Sequence, residues 1–232
     1  MSEPNVTVVT RKRTNVKNMT SMAMLTALAY VVMLLSKTLP QVSGFLQMDL
    51  KDTIICIGGF VFGPLSAAII SIVVAVVEMF TYSDTGIIGC IMNVLATVSF
   101  CCTASFVYKK LHTRKGAVVG LGLGVVALTV VMLLWNYLIT PIYMKIPREV
   151  VAYMLPTVFL PFNLAKGGLN MAVILLLYKP VVTALRQAKL LPESTRTSGA
   201  VTDKKLNSGF LLFSLALLAT FVTLTLVLMG II

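Results

Sequence analysis

The stretch GAVVGLGLGVVALTVVMLLWNYLI, residues 116–139, indicates the fold class, because it contains 24 residues and no charged side chain. A helix of about 20 mainly apolar residues spans the hydrocarbon core of a bilayer. In lipid, a single spanning segment satisfies its backbone hydrogen bonds only as a helix. The stretch therefore predicts a transmembrane helix, which a basic run precedes and Pro141 closes.

The same pattern recurs on both sides of this stretch. Further apolar segments predict helices at residues 21–35, 53–62, 64–80, 87–108 and 151–178. Gly63-Pro64 separates the second helix from the third, and Lys179-Pro180 closes the sixth. We therefore predict an all-α polytopic membrane bundle of six core transmembrane helices, with an extra C-terminal transmembrane helix at residues 209–232.

Composition excludes a soluble globular domain. The chain is 58% hydrophobic and only 12% charged, with a mean hydropathy of +0.95, whereas soluble domains carry about 25% charged residues. The net charge of +11 could indicate nucleic-acid binding. The basic residues flank apolar spans, however, and the excess of Lys and Arg in cytoplasmic loops explains that placement more simply.

Charge also predicts orientation and organisation. With the N-terminus in the cytoplasm, 14 of the 19 Lys and Arg residues fall in cytoplasmic segments, and five do not: Lys37, Lys51, Lys145, Arg148 and Lys166. We therefore expect a multi-pass protein of the cell membrane with a cytoplasmic N-terminus. Its predicted parts are a basic tail at 1–20, the six-helix domain at 21–186, a polar cytoplasmic linker at 187–208 and the extra span at 209–232.

Polar residues inside the spans are the candidate binding groups, because they are costly in lipid and usually face a bundle interior. Asn163, Lys166 and Asn170 are spaced at i, i+3 and i+7, so they share one helix face. Asn136 lies in the outer half of the preceding helix, and the loop 47–50 is on the same side of the membrane. These groups could converge on one outward-facing pocket. Helix–helix hydrogen bonding would explain the Asn residues equally well, but a buried ammonium needs a partner or a function.

Other features are expected to be structural. Glu78 is expected to be solvated or to snorkel to the outer interface, and Asp52 to cap the second helix at Thr53. A membrane enzyme would have to use Glu78, Asp84 or Lys166, but no nucleophile–base pair, metal-ligand cluster or G-x-x-x-x-G-K-[ST] motif is present. We therefore expect no enzymatic activity, no cofactor and no metal site.

Several stretches resemble the substrate-binding S components of energy-coupling factor (ECF) vitamin transporters, in particular the riboflavin-specific branch. The most specific are LQMDLKD at 46–52, IGGFVFGP at 57–64 and LPFNLAKGGLN at 160–170. GIIGCIMN at 86–93, TRKG at 113–116 and WNY at 135–137 also match. The resemblance covers about residues 20 to 186. The family pattern usually ends after the sixth helix, so the span 209–232 is an addition.

The resemblance implies a six-helix bundle that binds riboflavin near its outer face, for ATP-driven uptake by partner subunits. It implies ligand contacts at the following residues: Gln47, Met48, Asp49, Leu50, Asn136, Asn163 and Lys166. It also implies that Ala23 and Ala27 dock against a transmembrane coupling subunit, that a pair of ATPase subunits supplies energy, and that the S component topples in the membrane. The alternatives are an S component for FMN or another vitamin, and a ligand-free membrane assembly protein.

Overall fold

The computed structural model describes residues 16–83, 85–187 and 208–231, and every regular element in these ranges is helical. The prediction of an all-α bundle is thus confirmed. The helices are α1 Val16–Ser36, α2 Lys51–Phe62, α3 Pro64–Thr81, α4 Gly86–Leu111, α5 Arg114–Met144, α6 Arg148–Met154, α7 Leu160–Gln187 and α8 Ser208–Leu228. A π-helical turn, Leu155–Phe159, joins α6 to α7. Asp84 and most of the predicted tail and linker lie outside the described residues.

Six helical segments of the described chain are long and apolar enough to cross a membrane. They are α1, α3, α4, α5, the continuous α6–α7 segment and α8. The remaining helix, α2, has 12 residues and at about 1.5 Å per residue covers only part of the hydrocarbon core. It ends at Phe62. The next residue, Gly63, has a φ of 100°, which favours glycine, and Pro64 then opens α3. The multi-pass architecture is therefore confirmed, with α2 as a short buried helix.

Several helix ends differ from the predicted ones. The first helix begins at Val16 rather than at residue 21. Pro141 and Pro180 lie inside α5 and α7, which continue to Met144 and Gln187. A proline removes one backbone donor, and membrane helices tolerate this loss because neighbouring groups satisfy the freed carbonyl. The two prolines therefore do not end these helices.

Close packing at glycines holds α5 against α4. A Cβ atom added to Gly120 would lie 2.8 Å from the carbonyl oxygen of Ala104, and one added to Gly124 would lie 2.7 Å from that of Phe100. Small residues four apart allow helix backbones to approach this closely in membranes. The main apolar core, which includes Phe100, surrounds this contact.

The loop between α1 and α2 closes one end of the bundle. It turns at Ser43 and Gly44, both with positive φ, between the bridged residues Val42 and Leu46. Val42, Leu46 and Met48 are buried in a second apolar cluster with Phe159 and Phe162. This cluster anchors the loop beside the first turns of α7.

Candidate functional site

A cavity of about 420 Å³ lies beneath the α1–α2 loop. Ligand pockets in proteins have volumes of about 300–1,000 Å³. The lining residues come from this loop, from the α3–α4 loop and from α3, α4, α5 and α7: Lys37, Leu39, Pro40, Gln41, Phe45, Leu46, Gln47, Asp49, Glu78, Tyr82, Ser83, Thr85, Met92, Asn93, Ala96, Met132, Asn136, Phe162, Asn163 and Lys166. The cavity is thus large enough for a small molecule and has both polar and apolar walls.

Five of the seven residues predicted to contact a ligand line this cavity, and two do not. The five are Gln47, Asp49, Asn136, Asn163 and Lys166. Met48 is only 1% exposed and packs in the second apolar cluster. Leu50 directly precedes α2, and its N–H donates a hydrogen bond to Ser36 Oγ at 3.2 Å. For all seven residues, ligand contact stays a prediction.

Lys166 has an ionic partner across the bundle. Its Nζ lies 2.8 Å from Asp49 Oδ2. Burial opposes ionisation of Asp49, but the ammonium groups of Lys166 and Lys51 outweigh it and lower the pKa of Asp49 to about 2. The pair is therefore an ion pair at physiological pH, which explains how the ammonium of Lys166 is accommodated inside the bundle.

Asn170, one helical turn after Lys166, adds hydrogen bonds to the contact between α7 and the α1–α2 loop. Its Nδ2 donates to the Asp49 carbonyl at 2.9 Å and to the Lys166 carbonyl at 3.0 Å. Its Oδ1 accepts from Thr53 Oγ1 at 2.8 Å. These bonds fix α7 to the α1–α2 loop and to α2, so Asn170 connects helices, whereas Lys166 reaches the cavity.

Asn136 and Asn163 do not bridge helices among the described residues. Asn136 Nδ2 donates to the Met132 carbonyl at 2.7 Å, and its Oδ1 accepts from Thr140 at 3.0 Å. Asn163 Nδ2 donates to the Phe159 carbonyl at 2.8 Å, and its Oδ1 has no hydrogen-bond partner in the described ranges. Both side chains are buried and line the cavity. Their bonds orient the amides without joining one helix to another.

The expectation that Glu78 is solvated at the outer interface is wrong. Glu78 is 2% exposed, and its carboxylate lies 2.9 Å from Lys37 Nζ and 2.7 Å from Lys51 Nζ. Asn93 Nδ2 also donates to it at 3.2 Å. Two ammonium groups hold the carboxylate inside the bundle. Lys37 and Lys51 are two of the basic residues that fall outside the predicted cytoplasmic segments. Their position is the feature of the sequence that could have indicated a buried acidic partner.

The predicted N-cap role of Asp52 is also wrong. The residue before α2 is Leu50, so Asp52 lies in the first turn of the helix. It is 1% exposed, and its Oδ1 accepts a hydrogen bond from Thr97 Oγ1 of α4 at 2.6 Å. The helix begins at Lys51, two residues earlier than predicted, and the carboxylate of Asp52 therefore faces the inside of the bundle.

Ala23 and Ala27 lie on an exposed face of α1. The buried face of the helix carries Leu25, Ala29 and Met33. Packing within the described bundle therefore does not occupy the two alanines, and their predicted docking role stays a prediction.

Comparisons with known proteins place this architecture in a family. The family model for the ECF transporter substrate-specific component matches residues 17–178. The chain is 29% identical to the riboflavin transporter FmnP of Bacillus subtilis, over 75% of this chain and 98% of that protein. It is 28% identical to the riboflavin transporter RibU of Staphylococcus aureus, over 74% of this chain and 93% of that protein.

A solved structure agrees with these sequence matches. The structure of the S component of a bacterial ECF transporter superposes with a TM-score of 0.63 at 26% identity. The superposition covers 73% of this chain and 98% of the solved one. The chain therefore belongs to the family of ECF transporter substrate-specific components, which are transport subunits rather than enzymes.

Proposed function

We propose that this chain is the riboflavin-binding membrane subunit of an ECF-type transporter, which captures the vitamin from the extracellular side. The observation that carries the proposal is the convergence of Asn136, Asn163 and Lys166 on one cavity of about 420 Å³. The names of the relatives from Bacillus subtilis and Staphylococcus aureus support riboflavin as the ligand.

The chemistry of the walls suits a flavin. The pyrimidine edge of the isoalloxazine ring alternates carbonyl acceptors with an N–H donor. An asparagine offers an acceptor and two donors, and a lysine offers three donors. Asn163 Oδ1 has no partner in the described ranges and can accept the ring N–H. Apolar lining residues such as Met92, Met132 and Phe162 can pack against the ring faces.

The remaining parts of an ECF transporter would be separate chains. The sequence has no G-x-x-x-x-G-K-[ST] motif, so ATPase subunits would have to supply the energy of uptake. A coupling subunit would dock on the exposed α1 face around Ala23 and Ala27, where small side chains allow close helix approach. With the N-terminus in the cytoplasm, the cavity would open to the exterior.

Purification of the full chain in detergent tests the ligand. We expect riboflavin to co-purify, identified by mass spectrometry, and its fluorescence to be quenched on binding to ligand-free protein. Riboflavin at 100 times its Kd should raise the free energy of unfolding by about 2.7 kcal/mol. A preparation that responds instead to another vitamin or to FMN would reassign the substrate. No response to any vitamin would favour a ligand-free assembly protein.

A further inference from the structure

The end of the bundle opposite the cavity carries a basic patch. The patch combines the α4–α5 turn with the end of α7 and consists of five exposed side chains: Lys109, Lys110, Arg114, Lys115 and Lys179. Asn93 lines the cavity and lies on the same helix as Lys110. At about 1.5 Å per residue, the two lie about 25 Å apart along the axis of α4. The patch is therefore separate from the candidate ligand site.

Tertiary packing brings the two parts of the patch together. Tyr108 Oη and Tyr178 Oη are hydrogen-bonded at 3.0 Å. The ring centroid of Phe60 lies 4.5 Å from that of Tyr108 and 5.6 Å from that of Tyr178. These contacts join the ends of α2, α4 and α7. Lys109 and Lys179 directly follow the two tyrosines, so they lie at the same end of the bundle.

Within the described ranges, the protein does not neutralise the charge of the patch. The described acidic residues lie elsewhere, three of them buried and one in the first turn of α6: Asp49, Asp52, Glu78 and Glu149. The ion pairs of the described chain all lie in the bundle interior, and none involves a patch residue. The positive charge of the patch is therefore available to an anion from outside the chain.

The patch borders the lipid-facing surface of the bundle. Phe106 and Leu111 of α4 and Val119 of α5 are exposed apolar residues next to it in the chain, and such side chains of membrane helices face lipid tails. Lys110 Nζ lies 4.5 Å from the ring centroid of Phe106. This contact holds an ammonium at the boundary between acyl chains and headgroups, as a snorkelling lysine does. Clusters of Lys and Arg beside membrane helices bind anionic lipid headgroups.

We infer that Lys109, Lys110, Arg114, Lys115 and Lys179 form a binding surface for the headgroups of anionic phospholipids. The basic side chains bind the phosphate, to which an arginine can donate two parallel hydrogen bonds. The acyl chains pack on the exposed apolar face of α4 beside Phe106. A zwitterionic phospholipid carries its own ammonium next to the phosphate, so the surface prefers lipids with a net negative charge. This inference does not depend on which vitamin the chain binds.

Native mass spectrometry of the full chain in detergent tests the surface. The probes are phosphatidylglycerol, which is anionic, and phosphatidylcholine with the same acyl chains, which is zwitterionic. We expect the unmodified chain to bind phosphatidylglycerol more tightly. Lys110→Gln combined with Arg114→Gln should lower the affinity for phosphatidylglycerol about 25-fold, because each basic side chain near anionic lipid contributes roughly fivefold. The affinity for phosphatidylcholine should stay the same.

A matched control separates a local surface from the effect of net charge. Lys145→Gln combined with Arg148→Gln removes the same charge from exposed positions between α5 and α6, at the other end of α5. We expect it to leave the affinity for phosphatidylglycerol unchanged. All four substituted side chains are exposed, so both double variants should keep the Tm of the unmodified chain in detergent without lipid.

Lys179→Gln tests the tertiary arrangement, because only packing places this residue beside the α4–α5 turn. We expect it to lower the affinity for phosphatidylglycerol about fivefold, whereas Lys145→Gln alone should have no effect. This comparison decides the question even if the double variant in the α4–α5 turn does not fold.

The surface is overturned if the unmodified chain binds the two lipids equally, or if the matched control lowers phosphatidylglycerol affinity as much as the patch variant does. A lack of effect of Lys179→Gln would overturn the five-residue surface. Retained lipid preference in the patch variants, together with loss of a co-purifying protein subunit, would assign the patch to a protein partner instead.

Discussion

At the scale of single residues, the bundle accommodates charge by pairing it internally. Three of the five basic residues outside the predicted cytoplasmic segments, Lys37, Lys51 and Lys166, pair with the carboxylates of Asp49 and Glu78. Desolvation of such groups is expensive, and the attraction between them offsets it only while the set is complete. Loss of one member therefore costs more than the net stabilisation that its pair provides.

Substitution of Lys166 by Ala should weaken riboflavin binding and destabilise the fold. Removal of one partner of a buried pair costs about 3–5 kcal/mol. Because the pKa of Asp49 is lowered from 3.8 to about 2, the stabilisation from this ion pair is fully present above pH 3.8 and is lost as the pH falls through 2. Flavin titration and thermal denaturation near neutral pH would measure both effects.

A double variant separates the ligand-binding role of Lys166 from its structural role. Lys166→Met combined with Asp49→Asn removes both charges, so it should recover most of the lost stability but not the affinity. Recovery of both would mean that Lys166 only neutralises Asp49. Unchanged affinity in Lys166→Ala would refute the predicted contact.

At the scale of elements, α7 meets different neighbours on different faces. Adjacent residues of a helix point about 100° apart. Gly167 therefore lies against Val125 and Leu128 of α5, while Gly168 lies against the ring of Phe221 on α8. Further along α8, Leu224 and Leu228 pack against the second apolar cluster, which contains Phe159 and Phe162 beside Asn163. The added helix α8 thus packs against the helix that carries Asn163 and Lys166.

Gly168→Val should displace α8, because the new side chain would occupy the position of the Phe221 ring. Overpacking of this kind costs about 1–3 kcal/mol, which a lower Tm in detergent would report. Phe221→Ala in the same chain opens the space and should recover part of the loss. Gly122→Ala on α5 is a matched control, since no other group lies within 4 Å of its added Cβ. An equal drop in Tm with and without Phe221→Ala would contradict the contact.

At the scale of the whole molecule, charge and helix count together predict how the chain sits in the membrane. The basic cluster at residues 109–115 follows α4 and precedes α5, which indicates that this turn is cytoplasmic. The loop between α5 and α6 and the lined cavity would then face the exterior. The predicted count takes α2 as one of the six core crossings, and by that count α8 would place the C-terminus at the exterior.

Labelling of cysteines introduced one at a time, with a membrane-impermeant maleimide in intact cells, tests this orientation. Tyr143→Cys and Ile231→Cys, both at exposed positions, should react from outside. His112→Cys, in the α4–α5 turn, should react only after the cells are opened. The unsubstituted chain controls for its four native cysteines. Labelling of His112→Cys in intact cells would reverse the proposed topology.

The order of amino acids was sufficient to predict the helices, the membrane setting and the polar face of α7. Each depends on local quantities, namely the length of an apolar run, the Gly63-Pro64 break and the helical spacing of Asn163, Lys166 and Asn170. These quantities are the same whichever helices become neighbours, so they do not depend on how the chain packs. The family resemblance draws on the same local strings.

Which groups meet depends on the packing of the whole bundle. The partners Lys51 and Glu78 are 27 residues apart, and Asp49 and Lys166 are 117 apart. Nothing in either segment specifies the partner, so local patterns place Glu78 in solvent and Asp52 at a helix cap, and both placements are wrong. Burial and ion pairing depend on which helix faces pack together. Close contacts distributed over the bundle determine which helix faces pack together. Examples are the contacts of Gly120 and Gly124 with α4 and of Gly168 with Phe221.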